Sequence, residues 1–491
     1  MSKSKQFIAI LIFFSLISLG QFPLLLKEGA AQEVLIEVNA STTNDDYLCW
    51  QPAPARAKLI GAIGEDVIVK LVNERNNNGA GVVVFQQNNG ERLTHATYRP
   101  TSELRLTLRA SGEWTPFWVG GKFESRNDKD TMIVAFNLRN TKLGELPVMV
   151  RVRKNAERMT RDEINQFLDA LAKVHRLENG RPGRGYSKYA EAHEAAFLYG
   201  IHHASDPAAR FPLFVAWHRA FLLSLERELQ AMDPRVSLPY WRFDQPAPNL
   251  FSPDFLGRVP EPRSSPVDYE VEFSSDNPIR SWEMGDSEGP LKRVRNGTMT
   301  RDGGVITPVS TNTLERLFNI PINSDYVGVN GALEARYHNQ PHSWIQGWLA
   351  SGSSPRDPLF FLLHANVDRA WAHWQARNGK FDPTGTDEST YSAPGEYPGE
   401  TIPDRFRKGS YAKDTMWPWN RADGDQGTPD ALDDWPTGSF EMPLAHGTAG
   451  VASPPTPASQ IDFLDIHGKG LAHGVCYDDL DFEGHEILVT P

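Results

Sequence analysis

Histidine spacing is the first chemistry in this 491-residue chain. His338 and His342 stand at i and i+4 in "HNQPH", so on a helix both imidazoles leave one face. Downstream, "DPLFFLLHANVDRAW" carries His364 beside an apolar run, a candidate third nitrogen ligand. A second cluster lies upstream in "HEAAFLYGIHHASDPAARFPLFVAWHRAFLLSLERELQ", which offers His193, His202, His203 and His218. A single histidine on an apolar helix is ordinarily a satisfied core residue. Two clusters, each able to supply three imidazoles, are a different matter. Ligation by imidazole without thiolate suits copper, zinc, iron or nickel. Catalytic zinc needs one site rather than two matched sets. The two cysteines, Cys49 and Cys476, are too few for a thiolate metal site or a disulfide scaffold, though they can pair and tie the front of the chain to its tail.

The elements that must hold these rings are helices. "TRDE" is a capping box, with Thr160 as N-cap and Glu163 at N3, and it opens the apolar-periodic "INQFLDALAKVHRL". Helical patterns follow in "YAEAHEAAF", "WHRAFLLSLERELQAM", "HNQPHSWIQGWL" and "FFLLHANVDRAWAHWQ". Long Pro/Gly-rich connections, 244–310 and 377–440, separate them, and connections of that kind often wall or cover a site. From Glu33 to Lys154 the texture is β. "VLIEV", "DVIVKLV", "GVVVF", "LRLTLRA", "TPFWVGGKF", "TMIVAF" and "VMVRVR" are short branched or aromatic runs with turn residues between them, the pattern of a β-sandwich. His95 stands alone there and reads as a loop residue. The expected class is α+β multidomain. It comprises a signal segment (1–31), an N-terminal β-sandwich (32–155), a mainly helical domain with a central four-helix bundle around a two-metal site (156–440), and a C-terminal extension (441–491).

Composition narrows the partners. A hydrophobic fraction of 40% with 23% charged residues is that of a core-forming globular protein. The net charge of −12 argues against nucleic acid and suits a small neutral or cationic substrate. Lys3 and Lys5, the apolar "FIAILIFFSLISLG" and the small residues "GAA" at 29–31 read as an export signal. The other reading is a retained anchor, since the apolar run with "FPLLL" is nearly long enough to span a bilayer; the small-residue site favours cleavage. The expectation is a secreted or periplasmic protein without stable membrane insertion. "NAS" at Asn39 and "NGT" at Asn296 match glycosylation acceptors.

Together these residues resemble the type-3 copper proteins: tyrosinase, catechol oxidase and mollusc-type haemocyanin. "LEARYHNQPHSWIQGW…DPLFFLLHANVDRAWAHW" is similar to the family's second copper motif, and "FVAWHRAFLLSLERELQ…LPYWRFD" to the first. The resemblance runs from Tyr186 to Gln375 and leaves out the β-region and the tail. It implies a tyrosinase-type helical domain and two copper ions. His338, His342 and His364 would hold the second copper, and His193 and His218 would be the first and third ligands of the other. The family usually has His-His where this chain has Leu363-His364. It usually places the middle ligand of the first copper nine residues before the "WHR" histidine, where this chain has Ala209; His202 or His203 would have to serve instead. Asp357, Arg219 and Asp368 fit a supporting shell, with Arg219 and Asp368 pairing between the helices of His218 and His364 or forming ordinary surface ion pairs.

The resemblance implies oxidation of a phenolic substrate by O2. A phenol must lose its proton to coordinate a metal, and free phenol ionises only near pH 10. Glu334 and Asn339 resemble the family's water-holding pair that assists this step, which would add hydroxylation of monophenols to oxidation of o-diphenols. The alternatives are a catechol oxidase alone, a haemocyanin-like reversible O2 binder, or a redox-silent protein whose first site has been emptied.

Overall fold

The computed structural model describes residues 32–38, 47–61, 64–76, 78–91, 93, 97–177, 185–198, 213–260, 267–284, 289–301, 304–318, 326–381, 415–419, 441–444, 452–463 and 475–481. The expected export signal, His95, Asn39, His202, His203 and Ala209 lie outside them.

Among the described residues the β-rich region holds nine strands. They are β1 (Glu33–Val38), β2 (Tyr47–Leu48), β3 (Ala53–Ile60), β4 (Val67–Arg75), β5 (Val82–Gln87), β6 (Glu103–Leu108), β7 (Thr115–Phe123), β8 (Thr131–Asn137) and β9 (Lys142–Val150). They form two sheets, β1-β3-β7-β5 and β2-β9-β8-β4-β6, antiparallel except for the β2–β9 pair. Period-two alternation explains the packing: in β6, Leu104, Leu106 and Leu108 are buried while Glu103, Arg105 and Thr107 face water. Val34, Ala57, Phe117, Val69, Leu106 and Ile133 belong to the core. Strand β3, "APARAKLI", has no run of branched residues, yet Ala55, Ala57 and Leu59 point inward and Pro54, Arg56 and Lys58 do not. The strand expected at "VMVRVR" instead spans Lys142–Val150, and Arg151 to Arg153 leave the sheet.

The helical region begins at α1 (Arg161–Arg176), whose capping box forms as the sequence implies. Glu163 N–H donates to Thr160 Oγ1 at 3.3 Å, and Thr160 N–H donates to Glu163 Oε2 at 2.9 Å. Next come α2 (Ser187–Leu198), α3 (Phe214–Met232), α4 (Thr311–Phe318), α5 (Tyr326–Ala332), a π-helical turn (Leu333–His338), α6 (Asn339–Ile345) and α7 (Leu359–Asn378). Every residue of α7 from Leu359 to Gln375 is buried, so this helix is the axis of the region. "HNQPHSWIQGWL" is not one helix. Gln346 adopts φ 57° and ψ −152°, and Gly347 follows at φ 61°. A Cβ on Gly347 would stand 2.2 Å from the Lys292 carbonyl, so only glycine passes there. The chain then forms a strap, 346–352, instead of a further helical turn.

Behind α3 and α7 lies a buried ion network. Arg219 Nε bonds Asp368 Oδ1 at 2.6 Å, and both side chains are almost wholly buried, so this is no surface pair. Arg153 reaches Glu226 at 2.6 Å and Asp368 at 3.1 Å. The Tyr477 hydroxyl donates to Asp368 and accepts from Arg153. Asp479 takes Arg369 and His373. The segment carrying Tyr477 is bound to the β-region by the Cys49–Cys476 disulfide, Cα–Cα 6.1 Å, and by Trp50 Nε1 donating to Tyr477 O at 2.7 Å. Arg293 and Asp357 make a second buried pair at 2.7 Å, beside the start of α7.

Candidate metal centre

Helical elements bring five histidines together. His193 comes from α2, His218 from α3, His338 from the π turn, His342 from α6 and His364 from α7. A π turn inside a helix is a recurrent feature of functional sites. Ring centroids of His338 lie 4.4 Å from His342 and 4.6 Å from His364. His218 stacks on His364 at 4.1 Å, and His193 is 5.7 Å from His218. The five rings form one continuous cluster.

Hydrogen bonds fix which nitrogen four of the five rings offer. His193 Nδ1 meets the Gly352 carbonyl at 2.5 Å and His218 Nδ1 the Phe214 carbonyl at 2.7 Å. His338 Nδ1 meets Asn339 Oδ1 at 2.9 Å, and His342 Nδ1 the Leu349 carbonyl at 2.7 Å. An oxygen that can only accept demands a protonated Nδ1, which leaves the Nε2 lone pair for the site. The strap thus serves both clusters, with Leu349 holding His342 and Gly352 holding His193.

The rings of the second set are held neutral. Burial, reinforced by the neighbouring His342 and His218, holds His338 well below the ordinary imidazole value. Burial, with His218 and His338, does the same to His364. Burial takes His342 down to about 4, partly opposed by its bond to Leu349. Neutral imidazoles are the form that ligates metal.

The second set passes a direct test of fit. His338 Nε2 and His342 Nε2 lie 3.1 and 3.3 Å from His364 Nε2, and the three nitrogens fall within 4.8 Å of one another. His338 and His342 both present lone pairs, and His364 has one proton at most to share between them. Its Nδ1 is buried without a hydrogen-bond partner. A cation among the three nitrogens satisfies all of them at once. His193 and His218 stand beside this set, while His202 and His203 lie outside the described residues.

The supporting residues separate into those the sequence points to and those it does not. Asp357 is committed to Arg293, and Asp368 to Arg219 and Arg153. Glu334 sits half-buried in the π turn, and its carbonyl accepts the Asn339 N–H. Phe360 and Phe214 were not singled out from sequence, yet Phe360 packs 4.0 Å from His364 and 4.8 Å from His193, and Phe214 lies 4.7 Å from His338. The signal was available for Phe360, four residues before His364 on the same helical face. On Asn296 the side-chain oxygen accepts from Val259 N–H at 3.0 Å.

Residues 168–377 match the family model described as the common central domain of tyrosinase. The chain is 34% identical over 238 residues to a tyrosinase of Streptomyces antibioticus, covering 46% of this chain and 84% of that one. It is 36% identical over 240 residues to a tyrosinase of Streptomyces glaucescens, covering 46% and 83%. A solved polyphenol oxidase from Thermothelomyces thermophila, in a mutant form, aligns with a TM-score of 0.41 and 18% identity over 67% of this chain and 88% of that one. The chain belongs to the tyrosinase family of type-3 copper proteins. It is a tyrosinase-like copper oxidase, with a helical core preceded by a β-rich region that the family match does not include.

Proposed function

We propose that the chain binds two copper ions and uses O2 to oxidise phenols, hydroxylating monophenols to o-diphenols and oxidising o-diphenols to o-quinones. The observation that carries this reading is the convergence of the His338, His342 and His364 Nε2 atoms beside His193 and His218, within the tyrosinase match. His338, His342 and His364 would hold one copper; His193 and His218, with His202 or His203, would hold the other. When bound, the copper pair supplies two electrons to dioxygen. The protein's own contribution is to keep the imidazoles neutral and fixed in tautomer, and to crowd the rings with Phe214 and Phe360 so that water is excluded.

Proton removal from the phenol falls to Glu334 and Asn339, which flank His338 in the chain and resemble the family's water-holding pair. Asn339 also grips the His338 ring through its Oδ1. Asn339→Ala should lower monophenol turnover about ten- to a hundredfold more than catechol turnover, with copper content unchanged. Equal losses on both would assign Asn339 to orienting His338 alone. A metal count of one per chain, or no oxidation of any catechol, would overturn the two-copper reading. The proposed organisation is a signal at 1–31, a β-domain at 32–155, the copper domain at 156–440 and an extension from 441. The basic and apolar N-terminus supports export, and among the described residues no helix is long and apolar enough to cross a membrane.

A further inference from the structure

His218 is tied differently from its neighbours. His193 and His342 direct Nδ1 at carbonyls of the strap, whereas His218 directs its own at Phe214, one turn back on α3. That carbonyl lies in the first turn of the helix, where backbone N–H groups have no intrahelical partner and ends fray. The N-cap residue, Leu213, supplies no side-chain hydrogen bond. An anchor for this turn comes instead from far along the chain. Val215 N–H donates to Asn330 Oδ1 at 3.1 Å, across 115 positions. Phe214, Val215 and Asn330 are all almost wholly buried, so solvent does not compete for the bond.

The two bonds share one peptide group. Its N–H, from Val215, is given to Asn330, and its C=O, from Phe214, meets His218 Nδ1 at 2.7 Å. Donation at one end polarises a peptide and makes the other end a better acceptor. A better acceptor holds the Nδ1–H tautomer and raises the basicity of Nε2 towards a metal. Asn330 also sits on the element that carries the other histidine set. Ala332, His338 and Asn339 keep right-handed helical angles, so α5, the π turn and α6 continue as one rod through His338 and His342. One side chain thus fixes the start of α3 against that rod.

Local preferences do not account for an asparagine here. It is a poor helix former, and Gly331 after it is a poorer one. Among the described residues its Nδ2 is buried without a hydrogen-bond partner, a cost that native proteins seldom carry without a reason. The bond to Val215 supplies the reason.

We propose that Asn330 is a positioning residue for the metal held by His193 and His218, acting on His218 through the Phe214–Val215 peptide group. This rests on the two-copper part of the proposed function and adds a residue to which no histidine spacing points.

The test measures cuprous ion affinity by competition with a chromophoric chelator. It uses the parent and His342→Ala, in which the second set is broken and the remaining ion reports on His193 and His218. Asn330→Leu, similar in size but without an acceptor, should weaken that ion about ten- to a hundredfold. The ion of His338, His342 and His364 should stay within about twofold of the parent. Asn330→Asp, which keeps the acceptor, should recover most of the loss. No loss in Asn330→Leu, equal losses at both ions, or a loss that Asn330→Asp does not recover would overturn the proposal. The metal-free parent, with isotope-labelled histidine and His218 assigned through His218→Gln, gives a reading that needs no folded Asn330 variant. His218 should hold the Nδ1–H tautomer, and the Val215 amide should exchange as slowly as amides in the middle of α3. A mixed tautomer, or a Val215 amide exchanging like a free helix end, would equally overturn it. If the parent binds only one copper ion, the two-copper reading fails, and the metal-free measurements still decide whether Asn330 positions His218.

Discussion

The two sides of the α3–α7 pair solve opposite problems. On one side five imidazoles gather, with burial and mutual proximity keeping His338 and His364 uncharged. On the other, Arg153, Arg219, Glu226 and Asp368 are joined in ion pairs and almost completely buried. They are separated by little more than the thickness of a helix: Arg219 follows His218, and Asp368 is one turn beyond His364. The difference lies in what each group still lacks. The carboxylates of the charged side are satisfied within the protein, each taking at least one arginine. The histidine side keeps nitrogen lone pairs that the protein itself does not use. One side is closed by its own ion pairs; the other presents donors that a metal would complete.

Breaking the charged side should have the largest effect on stability. Asp368→Ala leaves Arg153 and Arg219 facing each other without the carboxylate between them, and removing one member of a buried pair costs about 3–5 kcal/mol. Denaturant unfolding should show that drop. A loss under about 1 kcal/mol would mean that water enters and the two sides are less distinct than described.

On the histidine side the damage should appear in metal rather than in folding. His342→Ala removes one of three converging nitrogens and leaves the Leu349 carbonyl at the edge of the strap. Bound metal should fall by one ion per chain while the metal-free protein unfolds within about 1–2 kcal/mol of the parent. Metal analysis together with unfolding of the metal-free form separates the two effects.

The smallest effect sharpens the contrast through pH. Burial alone would raise Asp479, but the Arg369 charge and the His373 bond outweigh it and hold the group far below the usual carboxylate range. Its contribution to stability is therefore complete above about pH 4 and is lost as the pH falls through lower values. Its neighbour Asp478 has the opposite sign. Burial and the Asp479 charge push it up to about 6, so between about pH 4 and 6 the folded chain keeps a proton that the unfolded chain releases. Stability from this group falls as the pH rises across that window. Asp478→Asn should flatten the change between pH 4 and 6 and leave the loss below pH 4 intact, as read from unfolding free energies at fixed temperature.

Much of the histidine side was legible because its chemistry is local. The i,i+4 spacing of His338 and His342, the apolar run before His364 and the capping box at Thr160 are patterns within a few residues, and folding realises them. Even the Arg219–Asp368 pair could be anticipated, since each residue sits near a ligand on a recognisable helix. Strand β3 was missed because alanines fill its inward positions and carry no branched-residue signal. The break after Ile345 was missed because Gln346 gives no warning of a positive φ; the constraint comes from the Lys292 carbonyl, far away in sequence. Arg153 and Tyr477, 324 positions apart, meet for reasons that no window along the chain contains. The site-facing nitrogens are thus a property of short motifs, while the wall behind them is a property of topology.

That wall also sets an order of events during synthesis. Cys476 emerges 427 residues after Cys49, which at about 5–20 residues per second is a delay of roughly 20–90 s. For that interval the β-region can fold with its cysteine still open, and α3 and α7 can find each other before Tyr477 and Asp479 exist to brace them. The nascent protein therefore passes through a stage in which the histidines are already made but the segment that locks their helices is not. Closing the molecule waits on that segment, and the disulfide records that it has been done.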